Sequence, residues 1–249
     1  MILVVGGHKG GTGSTTIATN LAVMRARQAR VKLIDASEEP SAERFMLTRL
    51  NLLDLNPHLA GRVPKLSFQR QRGRLLEPAI EEAAAAYTDI VIDTGRTSGP
   101  ELRLACARAD LLLSPLVANA PDLGTIPGLE AVVAEAVTEN PRLKAQLVFN
   151  LASNVETRFE DDVSQSIRND PTIKHLNLLD TVLHQWIAYK DAIWHGMGVD
   201  EIRFLARIHQ APKAREEMAA LYRELWREAP MELSDESDSG ILNATNHRT

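Results

Sequence analysis

The chain has one cysteine, Cys106, so it forms no internal disulfide. That excludes a small disulfide-stapled scaffold and is compatible with a reducing compartment. On an apolar helix face, Cys106 reads as a small core residue. No apolar run approaches the roughly 20 residues that a membrane-spanning helix needs. His and Cys residues never gather at metal-ligand spacing, and no internal repeat is visible. Positive charge is not in excess: the net charge is −5, so the molecule as a whole has no pull on polyanions. A local basic patch stays open. The first residues enter an apolar run directly, so no leader segment is expected and the cytoplasm is the expected location. What is present is 249 residues, 44% hydrophobic and 24% charged, enough for one large α/β domain or two small ones.

Met1-Ile2-Leu3-Val4-Val5 reads as a strand. His8-Lys9-Gly10-Gly11-Thr12-Gly13-Ser14-Thr15-Thr16 follows it, and Ile17, Leu21 and Met24 then recur on one helical face. Strand, glycine loop and helix in that order form the setting in which backbone amides cradle phosphate. Gly10, Gly11 and Gly13 leave room for N–H groups to turn inward. The start of the helix adds a positive dipole end. Thr15 or Thr16 offers a hydroxyl to magnesium. The loop departs from G-x-x-x-x-G-K-[ST]: Ser14 stands where the Lys belongs and His8 where the first Gly belongs. Lys9, near the start of the loop, is the lysine that remains. A plain glycine turn is the competing reading of the same residues.

Further along, apolar strand patterns alternate with helical ones, which predicts a parallel sheet covered on both sides. Val31-Lys32-Leu33-Ile34-Asp35 is a second strand ending in a carboxylate, which on its own reads as a loop or helix-capping group. Residues 51–65, with breakers at Asn56-Pro57 and Val63-Pro64, read as an irregular surface segment. Arg62, Lys65, Arg70, Arg72 and Arg74 form a basic run, either a solvated face or a track for nucleic-acid phosphates. Leu76, Ile80, Ala83 and Tyr87 mark a helix face. Thr88-Asp89-Ile90-Val91-Ile92-Asp93-Thr94-Gly95 is a strand with an Asp at its tip and a glycine turn after it, the Walker B arrangement that holds magnesium. More strands are predicted at Ala109–Leu116, Gln146–Asn150 and Leu176–Leu183. Leu129, Val133 and Ala136 mark one intervening helix, Ile187–Ala192 starts another, and Ala214, Met218, Leu221 and Leu225 stripe a final one. The fold class is therefore α/β and P-loop NTPase-like, a mostly parallel twisted sheet with helices on both faces. Residues 1–229 form a single domain in this reading. Residues 230–249 form a polar, acidic tail expected to be disordered.

Lys9-Gly10-Gly11-x-Gly13 followed by Thr15-Thr16 resembles the deviant Walker A box of the ParA/MinD family of partition and positioning ATPases. The resemblance runs in the family's order over about residues 1 to 228. It implies that Lys9 reaches across a dimer to the partner's nucleotide. Ser14 replaces a second Lys that touches the phosphates of its own subunit. Asp35 matches the first Asp of the family's Asp-x-Asp-Pro-Gln segment. Ser37 falls on the second, which helps to place the attacking water. Glu38 and Glu39 lie nearby, but their spacing assigns neither as a substitute. By the same resemblance, Lys9 and Asp35 serve catalysis, and Gly10, Gly11, Thr12, Gly13, Ser14, Thr15 and Thr16 hold the nucleotide. Asn150 lies against the base, or equally caps a turn as a polar strand-end residue, and Thr15 and Asp93 hold the metal. Ile187–Ala192 resembles a family segment with an aromatic, a basic residue and an acidic-Ala pair, and equally an ordinary helix start. The loop after Asp93 senses the terminal phosphate. Asp122 is a candidate partner for Lys9, and equally a first-turn helix carboxylate complementing the dipole.

The expectation that follows is a ParA-like protein of DNA partition or positioning, in plasmid or chromosome segregation. It would bind ATP and Mg2+ and act as a nucleotide-dependent homodimer near the nucleoid. Non-specific DNA and a centromere- or cargo-binding adaptor are the expected partners. Arg203, Arg207, Lys213 and Arg215 are candidates for DNA phosphates, each equally a solvated surface residue. No membrane is expected, since the membrane-binding members end in a basic amphipathic helix and this chain ends in an acidic tail. Because Ser14 brings no charge to the phosphates, hydrolysis is expected to be weak. A non-hydrolysing scaffold or switch of the same fold is the alternative. A small-molecule phosphotransferase would need an acceptor pocket, and no sequence feature specifies one.

Overall fold

Ile2–Gly7 (β1) is apolar along most of its length because helices cover both of its faces. Leu3 and Val5 pack to one side and Val4 to the other, all fully buried. The computed structural model describes residues 1–7, 9–59, 61–96, 99–153, 158–204 and 211–228. The expected tail at 230–249 and the candidate Arg207 lie outside these residues. After β1 come Ser14–Arg25 (α1), Val31–Asp35 (β2), Ser41–Leu55 (α2), Ser67–Arg70 (β3) and Leu76–Ala86 (α3). Asp89–Arg96 (β4), Pro100–Cys106 (α4), Leu111–Leu116 (β5), Ala120–Leu123 (α5) and Ile126–Glu139 (α6) follow. Lys144–Ala152 (β6), Arg158–Asn169 (α7), Leu176–His184 (β7), Ile187–Trp194 (α8) and Ala211–Trp226 (α9) complete the order.

Seven strands form one parallel sheet in the order β3-β2-β4-β1-β5-β6-β7. The α/β architecture with both faces covered is the one the alternation predicts. α1, α2, α8 and α9 share a core with Leu3, Val5, Leu33 and Val91. α3, α4, α6 and α7 share the other with Val4, Ile34, Ile92 and Leu112. Successive strand residues thus alternate between two cores, as a period of two requires. The chain leaves β1 toward β2 on one side and leaves β4 toward β5 on the other. The loops after these adjacent strands diverge, and such a switch point opens a crevice at the strand tips.

Two stretches differ from the sequence reading. Residues 51–55 are helical rather than irregular, because Leu52 and Leu53 of α2 pack against Leu59, Val63 and Met197. The basic run at 62–74 contains the edge strand β3, where Arg70 donates to the Glu38 carbonyl at 3.1 Å and pairs with Glu43 at 3.4 Å. The other edge strand, β7, is closed by glutamates of α9. Glu224 accepts the N–H groups of Asp180 at 2.9 Å and Thr181 at 3.1 Å, and Glu217 accepts that of His184 at 2.9 Å. Edge donors that would otherwise recruit a foreign strand are thereby satisfied.

The four stripe residues of α9 are buried, as predicted. Tyr222 stacks on Trp226 with ring centroids 4.7 Å apart. Its hydroxyl accepts from Arg25 at 3.1 Å and from Gln28 at 2.5 Å, and Arg25 also donates to Asp89 at 2.6 Å. Tyr222→Phe removes that shared acceptor and is expected to cost about 1–2 kcal/mol. The check is the urea midpoint at unchanged slope. The buried Arg49 guanidinium, which meets Glu201 at 2.7 and 2.9 Å, ties α2 to the turn after α8. Among the described residues, no helix is long and apolar enough to cross a membrane.

Candidate functional site

Strand pairing places Asp35, Asp93 and Val5 side by side on β2, β4 and β1, toward the C-terminal edge of the sheet. The ladder between β1 and β4 shifts register after Val5, where β1 passes into the glycine loop. Gly13 ends that loop as the N-cap of α1, at φ 89°. A Cβ there would lie 2.2 Å from Asn150 Nδ2, so the position requires glycine twice over. Asn150, at the end of β6, donates to the Thr12 carbonyl at 2.6 Å and braces the loop from behind. Among the described residues no side chain caps α1, and its first turn carries no acidic residue. Its opening amides are thus placed to receive an anion, with the helix dipole behind them. Gly10, Gly11, Gly13, Ser14, Thr15 and Thr16 line a cavity of about 390 Å³ above them.

Thr15 donates its hydroxyl to Asp93 Oδ2 at 2.6 Å. The Gly95 N–H donates to Asp93 Oδ1 at 3.0 Å. Asp93 is fully buried, and burial pushes its carboxyl up to about 7. That value includes a smaller upward push from the neighbouring Asp35 and the opposing bonds from Thr15 and Gly95. A buried carboxylate disfavoured as an anion, touching the threonine at the phosphate loop, suits a divalent cation. Among the described residues, no group of three or more His, Cys, Asp or Glu side chains could hold a metal alone. That is consistent with Mg2+, which binds through one or two protein oxygens, waters and the substrate's phosphates.

Asp35 is fully buried and does not line the cavity. Its carboxylate accepts the Ser37 N–H at 2.9 Å, the Ser37 hydroxyl, and the Glu43 N–H at 3.0 Å in the first turn of α2. In this structure it acts as a loop and helix cap, the alternative to the catalytic role that the resemblance implies. Lys9 forms an ion pair with Asp122. Both readings of Asp122 are realised together. It lies in the first turn of α5, accepts the Val117 N–H at 3.0 Å, and is only 1% exposed against 40% for Lys9. Thr97 and Ser98, in the loop after Asp93, lie outside the described residues.

A second cavity of about 830 Å³ adjoins the first, and Gly11, Gly13, Thr16 and Ser41 line both. Phe45 of α2, Trp186, and Tyr189, Ile193 and Trp194 of α8 form its apolar wall. Asn150 lines it too, and Trp186 is fixed by donating its ring N–H to Glu217 at 2.9 Å. This wall is only partly legible in the sequence: Ile187–Ala192, which carries Tyr189, resembles a family segment and equally an ordinary helix start, and Phe45 and Trp194 give no signal. Glu38 and Glu39, which the spacing could not assign, line the first cavity.

A family model described as ATPase MipZ matches residues 1–152. The chain belongs to the MipZ family. It is therefore of the ParA/MinD type and a ParA-like positioning protein by family. The maintenance of carboxysome distribution protein A of Halothiobacillus neapolitanus is 24% identical over 209 residues, 80% of this chain and 87% of that protein. The cell division ATPase MinD of Pyrococcus furiosus superposes with a TM-score of 0.65 at 17% identity, covering 91% of this chain and 98% of that one. A variant of Cyanothece McdA solved with ATP gives 0.62 at 15% identity, covering 90% and 95%. These likenesses confirm the P-loop NTPase-like fold.

Proposed function

We propose that this chain is a nucleotide-dependent positioning protein that binds ATP with Mg2+ at the loop Gly10–Thr16, dimerises through Lys9, and carries an adaptor-bound cargo over non-specific DNA. The observation that carries the reading is the Thr15–Asp93 hydrogen bond beneath a helix start that no side chain caps among the described residues. It sets a metal-binding carboxylate and hydroxyl directly under a phosphate cradle.

Each group has a role in this reading. The amides of Gly10 to Thr16 bind the phosphates. Thr15 and Asp93 hold Mg2+, which would neutralise phosphate charge. Asn150 keeps the loop in register, and the aromatic wall of the second cavity takes the base. Asp35 holds the segment 35–43 in place through its cap. Lys9, 40% exposed, exchanges Asp122 for the partner's nucleotide when two subunits meet. Arg203, Lys213 and Arg215 are exposed near the C-terminal helix and are assigned to DNA phosphates. The domain is assigned to residues 1–229. Plasmid or chromosome cargo fits the family, as does a protein compartment like that named for the Halothiobacillus relative.

Turnover is assigned to the slow end, with Ser14 and Ser37 standing where the family pattern has a lysine and a carboxylate. A non-hydrolysing switch is the limiting case, and the same two serines favour it.

Lys9→Ala separates dimerisation from binding. By sedimentation velocity with ATP and Mg2+, the wild-type chain is expected to shift from one subunit to two, and Lys9→Ala to stay at one. Nucleotide affinity of the single subunit should change little, because Lys9 faces Asp122 there. A Lys9→Ala chain that still pairs with ATP contradicts the role given to this lysine.

A further inference from the structure

The charges around the two cavities are divided unevenly. Among the described residues, Lys9 is the one cation lining the first cavity, and its ammonium is held by the buried Asp122. Glu38 and Glu39 line the same cavity, are exposed, and have no ion-pair partner among the described residues. Ser14 adds a hydroxyl and no charge. At the second cavity the signs reverse. Arg44 and Lys190 line it, both exposed and neither paired with a carboxylate among the described residues. The Arg44 side chain donates to the Pro40 carbonyl at 3.3 Å.

We propose that a single subunit discriminates by phosphate count, holding a nucleoside diphosphate at least as tightly as the triphosphate. This rests on the nucleotide reading above, with the base in the aromatic cavity. From there the phosphate chain crosses Gly13 and Thr16 and ends toward Lys9, Ser37, Glu38 and Glu39. The first two phosphates lie between the loop amides and the cationic mouth formed by Arg44 and Lys190. A third phosphate brings its negative charge to two unpaired carboxylates and a lysine already neutralised. Only a second subunit's Lys9 would tip the balance toward the triphosphate. The acidic segment thus couples triphosphate retention to pairing of subunits.

The test measures ADP and ATP affinities by competition calorimetry in saturating Mg2+, at protein concentrations where sedimentation shows one subunit. The wild-type chain should bind ADP as tightly as ATP or more tightly. Removing a like charge at a partly exposed site is worth about two- to tenfold in affinity. Glu38→Gln/Glu39→Gln should therefore tighten ATP by at least about fivefold while moving ADP less than about twofold. Lys190→Gln should weaken both by the same factor. Wild-type ATP affinity exceeding that of ADP by about tenfold, or glutamine variants that tighten both equally, would overturn the inference and leave the nucleotide reading standing. Failure of both nucleotides to bind any of the chains would remove that reading and this inference with it.

Discussion

Ser14→Lys is expected to raise ATP turnover by about a hundred- to a thousandfold over the wild-type chain. A fixed cation on the bridging and terminal phosphates stabilises charge that develops as the phosphoryl group departs. Losing one such contact typically costs about 3–4 kcal/mol of transition-state stabilisation. Ser14 is the first residue of α1 and lines the phosphate cavity, 7% exposed. It donates one neutral hydrogen bond at most. The residues around it do not make up the deficit: Lys9 is paired with Asp122, and the other charged groups lining the cavity, among the described residues, are Glu38 and Glu39. A lysine at position 14 would meet the loop's phosphates from within the cavity and offset those carboxylates. Phosphate release under saturating ATP and Mg2+ reads the effect. Equal rates in the two chains would mean that this site does not depend on the missing charge.

Asp93→Asn should reshape the pH dependence of stability. The folded chain holds the Asp93 proton up to about pH 7, against an ordinary value of 3.8. A raised folded value means that the native state binds the proton more tightly than the unfolded chain does. The stability from this group is therefore complete below about pH 4, declines as pH rises, and is gone above about pH 7. The span corresponds to a few kcal/mol, on the order of 1.4 for each pH unit of displacement. The asparagine side chain carries no titrating proton and can still accept from Thr15 or Gly95. The metal-free variant should match the wild-type chain at pH 4 and below and exceed its melting temperature increasingly from there to pH 8. Mg2+ with nucleotide should stabilise the wild-type chain increasingly as pH passes through 7, and Asp93→Asn hardly at all. Superimposable stability curves for the two metal-free chains would show that Asp93 is not the strained carboxylate described here.

The strands flanking the site were legible because burial on both faces keeps them short and mostly apolar, Lys32 being the exception. Ile2–Val5, Val31–Ile34 and Ile90–Ile92 cannot be read as amphipathic helix. β3 was hidden for the opposite reason. It is an edge strand with half-exposed positions, and Ser67, Gln69 and Arg70 give it no apolar alternation. The last turn of α2 was obscured by Asn56-Pro57, since the breakers lie just beyond it and Leu52 and Leu53 pack on Met197 far along the chain. Within the site, the glycine loop, Thr15 and Asp93 are set by local sequence and by the neighbouring strands that carry them. The pairing of Lys9 with Asp122 came from family resemblance, because 113 residues separate them and no local periodicity links them. Of the aromatic wall, Tyr189 lies in a stretch that resembles the family, while Phe45 and Trp194 came from neither source. Phe45 and Trp194 line one cavity only because α2 and α8 pack on the same face of the sheet. The capping role of Asp35 was visible as an alternative, and the contacts with Ser37 and Glu43 are what the folded chain adds to it.

Every role assigned above requires that the tip of β1 hold a nucleotide through its phosphates. Crystals grown with Mg2+ and a non-hydrolysable ATP analogue test this most directly. The predicted density runs along the amides of Gly10 to Thr16, with a metal ion beside the Thr15 hydroxyl and Asp93, and the base against Trp186 and Tyr189. A well-ordered glycine loop with no density above it at millimolar analogue, or an analogue bound elsewhere on the chain, would contradict it.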